Sequence, residues 1–90
     1  WYLFTPFETY YQLGRYDDVL RLADNLDRTS QNYVEEAWYY RGLAYAAQGR
    51  SDDAITQLER VLRFNENYTL AAEAISAIRS NTYVPPVPAS

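Results

Sequence analysis

A six-residue signature occurs twice in this chain, and its spacing constrains the fold more than any other feature. Gly14-Arg15-Tyr16-Asp17-Asp18-Val19 recurs as Gly49-Arg50-Ser51-Asp52-Asp53-Ala54, thirty-five residues later. The same offset maps Tyr10 onto Tyr45, Leu20 onto Ile55 and Leu26 onto Val61. A repeat of this length is one supersecondary unit that cannot hide its apolar side alone and must stack on a neighbour. Each unit reads as two helices folding back at a glycine, because glycine enters the left-handed turn conformation without steric cost.

The element pattern follows from start and stop signals. Thr5-Pro6-Phe7-Glu8 offers a Thr cap, Pro at the first helical position and a Glu that completes a capping box. That helix is expected to run to about Leu13 and to stop at Gly14. A second, from about Asp17 to Asp27, places Val19, Leu20, Ala23 and Leu26 on one face. Polar residues Arg28 to Asn32 form the connection, and Asn32 with Glu35 caps a third helix running through Tyr45 to Gln48, where Gly49 ends it. The fourth helix, about Ser51 to Phe64, is expected to bury Ala54, Ile55, Leu58, Val61 and Leu62. The fifth, about Thr69 to Arg79, carries Leu70, Ala71, Ala74, Ile75 and Ile78. Val84-Pro85-Pro86-Val87-Pro88 cannot be helical and is expected near polyproline II.

Ninety residues fit one domain, near the lower end of what builds a core unaided. Hydrophobic content of 48% with 22% charged residues is globular rather than disordered. The absence of Cys and His removes disulfides, zinc sites built from those residues and the commonest general base. No glycine loop of the phosphate-cradling kind is present, so no enzyme activity and no cofactor are expected. A net charge of −4, with eight scattered Arg as the whole basic complement, argues against nucleic acid. No apolar run approaches the ~20 residues that span a bilayer, and no signal-peptide order is visible, so no membrane association is expected. The opening Trp1-Tyr2-Leu3-Phe4 reads as the cut end of something longer.

The second unit resembles the tetratricopeptide repeat. Trp38, Arg41-Gly42, Tyr45, Gly49 and Ala54 follow that family's spacing of Trp, Leu-Gly, Tyr and Ala. The pattern has a steric reason: Gly42 and Ala54 belong where the paired helices approach most closely, and Trp38 and Tyr45 fill the wedge between hairpins. Arg41 replaces the usual Leu, Leu58 the usual large aromatic, and Glu66 the usual closing Pro. The first unit matches less well, with Phe7 at the small-residue place of a helix shortened by Pro6. The resemblance implies an all-α fold, a right-handed α-α superhelix of two helical hairpins plus a C-terminal solvating helix. Its expected limits are residues 1–81, with repeat one over about 5–32, repeat two over about 33–66 and the solvating helix over about 69–79. A proline-rich extended tail then covers 82–90. The stretch Leu3-Phe4-Thr5-Pro6-Phe7, with Tyr10 to Asp18, is also similar to C-terminal repeat tails of bacterial proteins that carry a cysteine-peptidase-like domain, none of whose chemistry could lie here.

The resemblance implies a non-catalytic protein-interaction module, or else a structural appendage packing on an adjacent domain. In that fold the first helix of each hairpin lines the concave surface, which places Tyr39, Tyr40 and Leu43 there with Tyr11 from the preceding unit. Tyrosine can bury an aromatic body and keep its hydroxyl for a hydrogen bond, which suits an interface; the same side chains could equally finish a small groove or touch the chain's own tail. The family's clamp for chaperone-tail carboxylates uses Lys, Arg and Asn, whereas this chain has no Lys and holds Tyr39, Tyr40 and Leu43 at the matching places. An extended, apolar or proline-containing segment is the better-suited protein partner. The tail from Val84 to Pro88 is itself such a segment, either lying across that face or forming a linker stub.

The acidic pairs Asp17-Asp18, Asp52-Asp53 and Glu35-Glu36 fall in first helical turns, where the helix dipole favours negative charge; they are expected to cap rather than to bind metal. Asn67-Tyr68-Thr69 matches a glycosylation pattern and is read as the cap of the fifth helix. That helix bears one charge, Glu73, between Leu70 and Ile78, with Ala72, Ala74 and Ala77 leaving little outward polarity. Self-association through residues 70–78, or docking on another domain, is expected.

Overall fold

The computed structural model describes residues 5–29 and 34–86, and within them the side chains of 7–28 and 35–86. Five helices follow in order: α1 (Thr5–Gln12), α2 (Tyr16–Thr29), α3 (Val34–Ala47), α4 (Ser51–Phe64) and α5 (Thr69–Arg79). No strand occurs among the described residues. The fold is all-α, two helical hairpins and a closing helix. The α4 and α5 boundaries are those expected from the sequence, whereas α2 runs to Thr29, beyond Asp27. The expected Asn32 cap lies outside the described residues. So does the Thr5 side chain, although the Thr5 backbone is already helical.

Both hairpins reverse through one hydrogen-bonding scheme. Gly14 and Gly49 have φ of 75° and 81°, the left-handed conformation that a Cβ would strain. The Arg15 amide donates to the Tyr10 carbonyl and the Gly14 amide to Tyr11; thirty-five residues on, the Arg50 amide donates to Tyr45 and Gly49 to Ala46. These pairs are the two bonds of a Schellman cap, which satisfies helix-end carbonyls. Each following Arg lies over the Tyr of the same turn, Arg15 4.9 Å from the Tyr10 ring centre and Arg50 4.2 Å from that of Tyr45. Each also pairs with an acidic residue three positions on, Arg15 with Asp18 at 2.6 Å and Arg50 with Asp53 at 2.9 Å. This corrects the expected capping role: the Asp53 carboxylate serves Arg50, and no side chain caps α4. Nor does one cap α5, whose N-cap position is Tyr68.

A third helix end uses the same reversal. Asn81 takes φ 59°, the Thr82 amide donates to the Ala77 carbonyl at 2.8 Å and the Asn81 amide to Ile78 at 3.2 Å. Asparagine tolerates the left-handed region better than other side chains, so α5 ends as α1 and α3 do.

Helix α3 is the centre of the molecule, touching α1, α2, α4 and α5. A helix so enclosed needs apolar or small residues all round, and Ala37, Gly42, Leu43, Ala44 and Ala47 are buried on it. Gly42 permits the closest approach: a Cβ there would come within 2.8 Å of Leu58 Cγ and 3.2 Å of the Ala54 carbonyl oxygen. Trp38 lies between the hairpins, edge-on to Phe64 at 5.7 Å with Arg60 4.3 Å over its ring. Of the α4 residues expected to be buried, Ile55 and Leu62 are only half-buried; Leu70 of α5 is 55% exposed and opens onto the surface described below.

Arg41, in the family's Leu position, is 6% exposed yet fully engaged. Its guanidinium donates to Asp24 at 2.5 Å and Asp27 at 2.9 Å on α2, and to Gln57 at 3.0 Å on α4. Three helices are thereby tied by one side chain. Partial burial pushes the Asp27 carboxyl up, but the Arg41 bond and charge hold it below the ordinary value. The Trp38 indole N–H, which has no hydrogen bond of proper geometry among the described residues, lies near enough to Asp27 to help.

Candidate functional site

The helices α1 and α5 both pack on α3 but not on each other. The gap between them is an open depression of about 440 Å³, floored by α3 and walled by α1 and α5. All four side chains singled out from the sequence, Tyr11, Tyr39, Tyr40 and Leu43, line it. They are not equally accessible. Tyr39 and Tyr40 are half-buried, while Tyr11 and Leu43 are buried beneath the rim.

The aromatic side chains form a continuous ladder. Tyr40 stacks on Phe7 at 5.3 Å with the rings nearly parallel, and meets Tyr11 and Tyr39 edge-on at 6.3 and 5.1 Å. Tyr39 continues to Tyr68 at 5.5 Å, and Tyr11 to Tyr16 at 5.9 Å. Such offset and edge contacts suit the ring quadrupoles and add rigidity at little entropic cost. The Tyr40 hydroxyl donates to Glu8 at 2.8 Å, fastening α3 to α1. Glu8, read from the sequence as half of a capping box, thus also accepts from a tyrosine across the face, and from Gln12 Nε2 at 3.1 Å.

Charge on this surface has one sign: Glu8 and Glu73 are among the lining residues, and no Arg is. Burial pushes the phenols upward, Tyr39 to about 12, and Tyr11, Tyr40 and Tyr83 also above the usual tyrosine value. At neutral pH the face therefore presents neutral phenols beside carboxylates. It can take hydrogen-bonding, apolar or cationic groups and repels anions.

Sequence reasoning did not find Leu70, Glu73 or Tyr83 here. Tyr83 hydrogen-bonds the Tyr11 hydroxyl and donates to the Leu43 carbonyl at 3.4 Å. Its neighbour Val84 is 82% exposed. Of the segment from Val84 to Pro88, residues 87 and 88 lie outside the described residues, and 84–85 have no regular structure. The small residues of α5 are also turned otherwise than expected, since Ala74 is buried and Ala77 half-buried, leaving Ala72 as the exposed alanine.

The family model of the tetratricopeptide repeat matches residues 35–68. Residues 35–68 are a tetratricopeptide repeat. The match covers α3 from Glu35, α4 and the turn into α5, and includes Gly42 and Ala54 where the paired helices approach most closely. Tetratricopeptide repeats generally mediate protein–protein contacts, and typically do so without catalysing reactions. No curated protein and no solved structure matches the chain.

Proposed function

We propose that this chain, with its tetratricopeptide repeat over residues 35–68, is a non-catalytic interaction module that takes an extended, apolar or proline-containing segment of a partner protein on the face of Tyr39, Tyr40, Leu43 and Tyr11. The observation that carries this reading is the convergence of α1, α3 and α5 on one aromatic depression, open between α1 and α5. Tyr39 and Tyr40 are its accessible anchors, each held by neighbouring rings so that little freedom remains to be lost on binding. Carboxylates Glu8 and Glu73 disfavour acidic ligands, in keeping with the lack of a lysine-based carboxylate clamp. A pull-down comparing the intact chain with a Tyr39→Ala/Tyr40→Ala variant tests it. Partners retained by the intact chain should be lost by a variant whose helical circular dichroism is unchanged; an identical partner set would overturn the reading.

The second reading, an appendage that packs on an adjacent domain or on another copy through residues 70–78, draws on a separate feature. Ala72, Ile75 and Ser76 of α5 and Glu59 and Leu62 of α4 line a shallow groove of about 570 Å³, with the Arg79–Glu59 pair at 3.1 Å beside it. Light scattering at high micromolar concentration tests the self-association half of this reading: a monomer argues against it.

A further inference from the structure

Part of the lining of the gap between α1 and α5 comes from the chain's own C-terminal segment. After the Asn81 reversal residues 82–86 form no further helix; the chain runs back toward α3, pinned where the Thr82 and Tyr83 amides both donate to the Ala77 carbonyl, at 2.8 and 3.2 Å. The Tyr83 side chain, half-buried, joins the lining of the depression. Each phenol has one proton to give. The Tyr83 hydroxyl reaches both the Tyr11 hydroxyl and the Leu43 carbonyl. The face thus offers a hydroxyl and a carbonyl within reach of one phenol.

We propose that Tyr83 is a tethered stand-in for the partner's own side chain, so that the face selects an extended segment presenting an unmodified tyrosine and binds it only after Tyr83 withdraws. This rests on the protein-binding reading above and adds its specificity and its regulation. A neutral phenol is required because Glu8 and Glu73 line the same depression and would repel a phosphorylated one. Tethering makes Tyr83 a strong competitor, since a short linker gives an effective concentration on the order of millimolar. A partner therefore sees an affinity reduced by the fraction of molecules in which the face is open.

The test uses the full chain and a synthetic peptide copying residues 80–86. The intact chain, Tyr83→Ala and Tyr83→Ala/Tyr39→Ala/Tyr40→Ala are titrated with it by isothermal calorimetry, and their helical content is checked by circular dichroism. The peptide should bind Tyr83→Ala at least tenfold more tightly than the intact chain, and should lose binding to the triple variant. Peptides carrying phenylalanine or phosphotyrosine at the position of Tyr83 should bind Tyr83→Ala more weakly, the phosphorylated one most. Equal binding to the intact chain and Tyr83→Ala would overturn the stand-in, as would equal affinity of the three peptides. Should Tyr83→Ala lose helicity, Tyr83→Phe serves instead, because it keeps the ring and drops both hydroxyl bonds; unchanged peptide affinity relative to the intact chain then overturns it. A chain that ignores these peptides in every form, yet loses its pull-down partners on Tyr39→Ala/Tyr40→Ala substitution, would retire the stand-in while leaving the binding reading intact.

Discussion

In the second hairpin Gly42 of α3 faces Leu58 of α4; in the first, the same register positions hold Phe7 on α1 and Ala23 on α2. All three side chains, Leu58, Phe7 and Ala23, are wholly buried. The volume at the crossing has changed sides, from the second helix of the hairpin to the first, with Val19 in place of Ala54 between them. Close packing explains why both changes occur together: an interior at crystal-like density accepts a large residue only where a small one faces it. The exchange also bears on the binding face. Phe7 is the ring on which Tyr40 stacks, so the departure that makes the first hairpin a weaker match is also what supports an anchor of the proposed site.

The largest effect should come from forcing one hairpin's solution on the other. Gly42→Phe sets its Cβ 2.8 Å from Leu58 Cγ and beside the Ala54 carbonyl, so the helices must part. A loss of more than about 3 kcal/mol is expected in urea unfolding, near the top of what single substitutions do. Leu58→Ala alone should cost about 3 kcal/mol for the cavity it leaves. Combined, the two should cost less than their sum, with a favourable coupling of about 1–3 kcal/mol. Additive losses would break the claim that the hairpins are alternative fillings of one geometry.

Arg41 sharpens the comparison, because its register counterpart is Pro6 and the first hairpin has no equivalent tie. Removing it leaves Gln57, Asp24 and Asp27 without their shared donor. Loss of a fully buried charge partner would cost ~3–5 kcal/mol. Asp24 and Asp27 keep 63% and 28% of their side-chain surface exposed, which lowers the expectation for Arg41→Ala to about 2 kcal/mol. The pH dependence has a definite sign. Asp27 titrates below its ordinary value in the folded chain, so its share of the stability is present above the unfolded value and is lost as pH falls through the folded one. The gap between the intact chain and Arg41→Ala should stay level near neutrality and narrow below about pH 4. A gap that widened in acid would show that the carboxylates are not what Arg41 holds.

What could be read from the sequence, and what could not, divides along the same physical lines. The reversals at Gly14 and Gly49 were legible because a left-handed turn is a local demand that few residues meet. The crossing at Gly42 and Ala54 was legible because a steric minimum leaves a compositional mark. Arg41 showed only as a departure, since its partners lie fourteen to seventeen residues away on two helices and carry no mark of their own. On the face, the tyrosines could be named, but the burial of Tyr11 and Leu43 depends on how α1 and α5 straddle α3, which no single helix encodes. Ile55 and Leu62 of α4, expected to be buried, are only half-buried for the same reason: helical periodicity gives a face, while the neighbours decide how much of it is covered.

The smallest expected difference lies in the turns that the two hairpins share. Arg50 sits closer over Tyr45, at 4.2 Å, than Arg15 does over Tyr10, at 4.9 Å. Asp53 is paired with Arg50, whereas Asp18 accepts from Arg21 as well as Arg15 and keeps a partner if Arg15 is lost. Both arguments point the same way. Arg50→Ala should cost about 0.5–1 kcal/mol, the range of an exposed cation–π contact with a surface ion pair, and Arg15→Ala a few tenths less. Raising salt to about 1 M shortens the screening length to ~3 Å, which should shrink the ion-pair share of each loss. The cation–π share, which rests on contact at the ring face, should persist. If both losses vanished in high salt, the Arg–Tyr stacking would be an accompaniment of the turn and not one of the interactions that hold it.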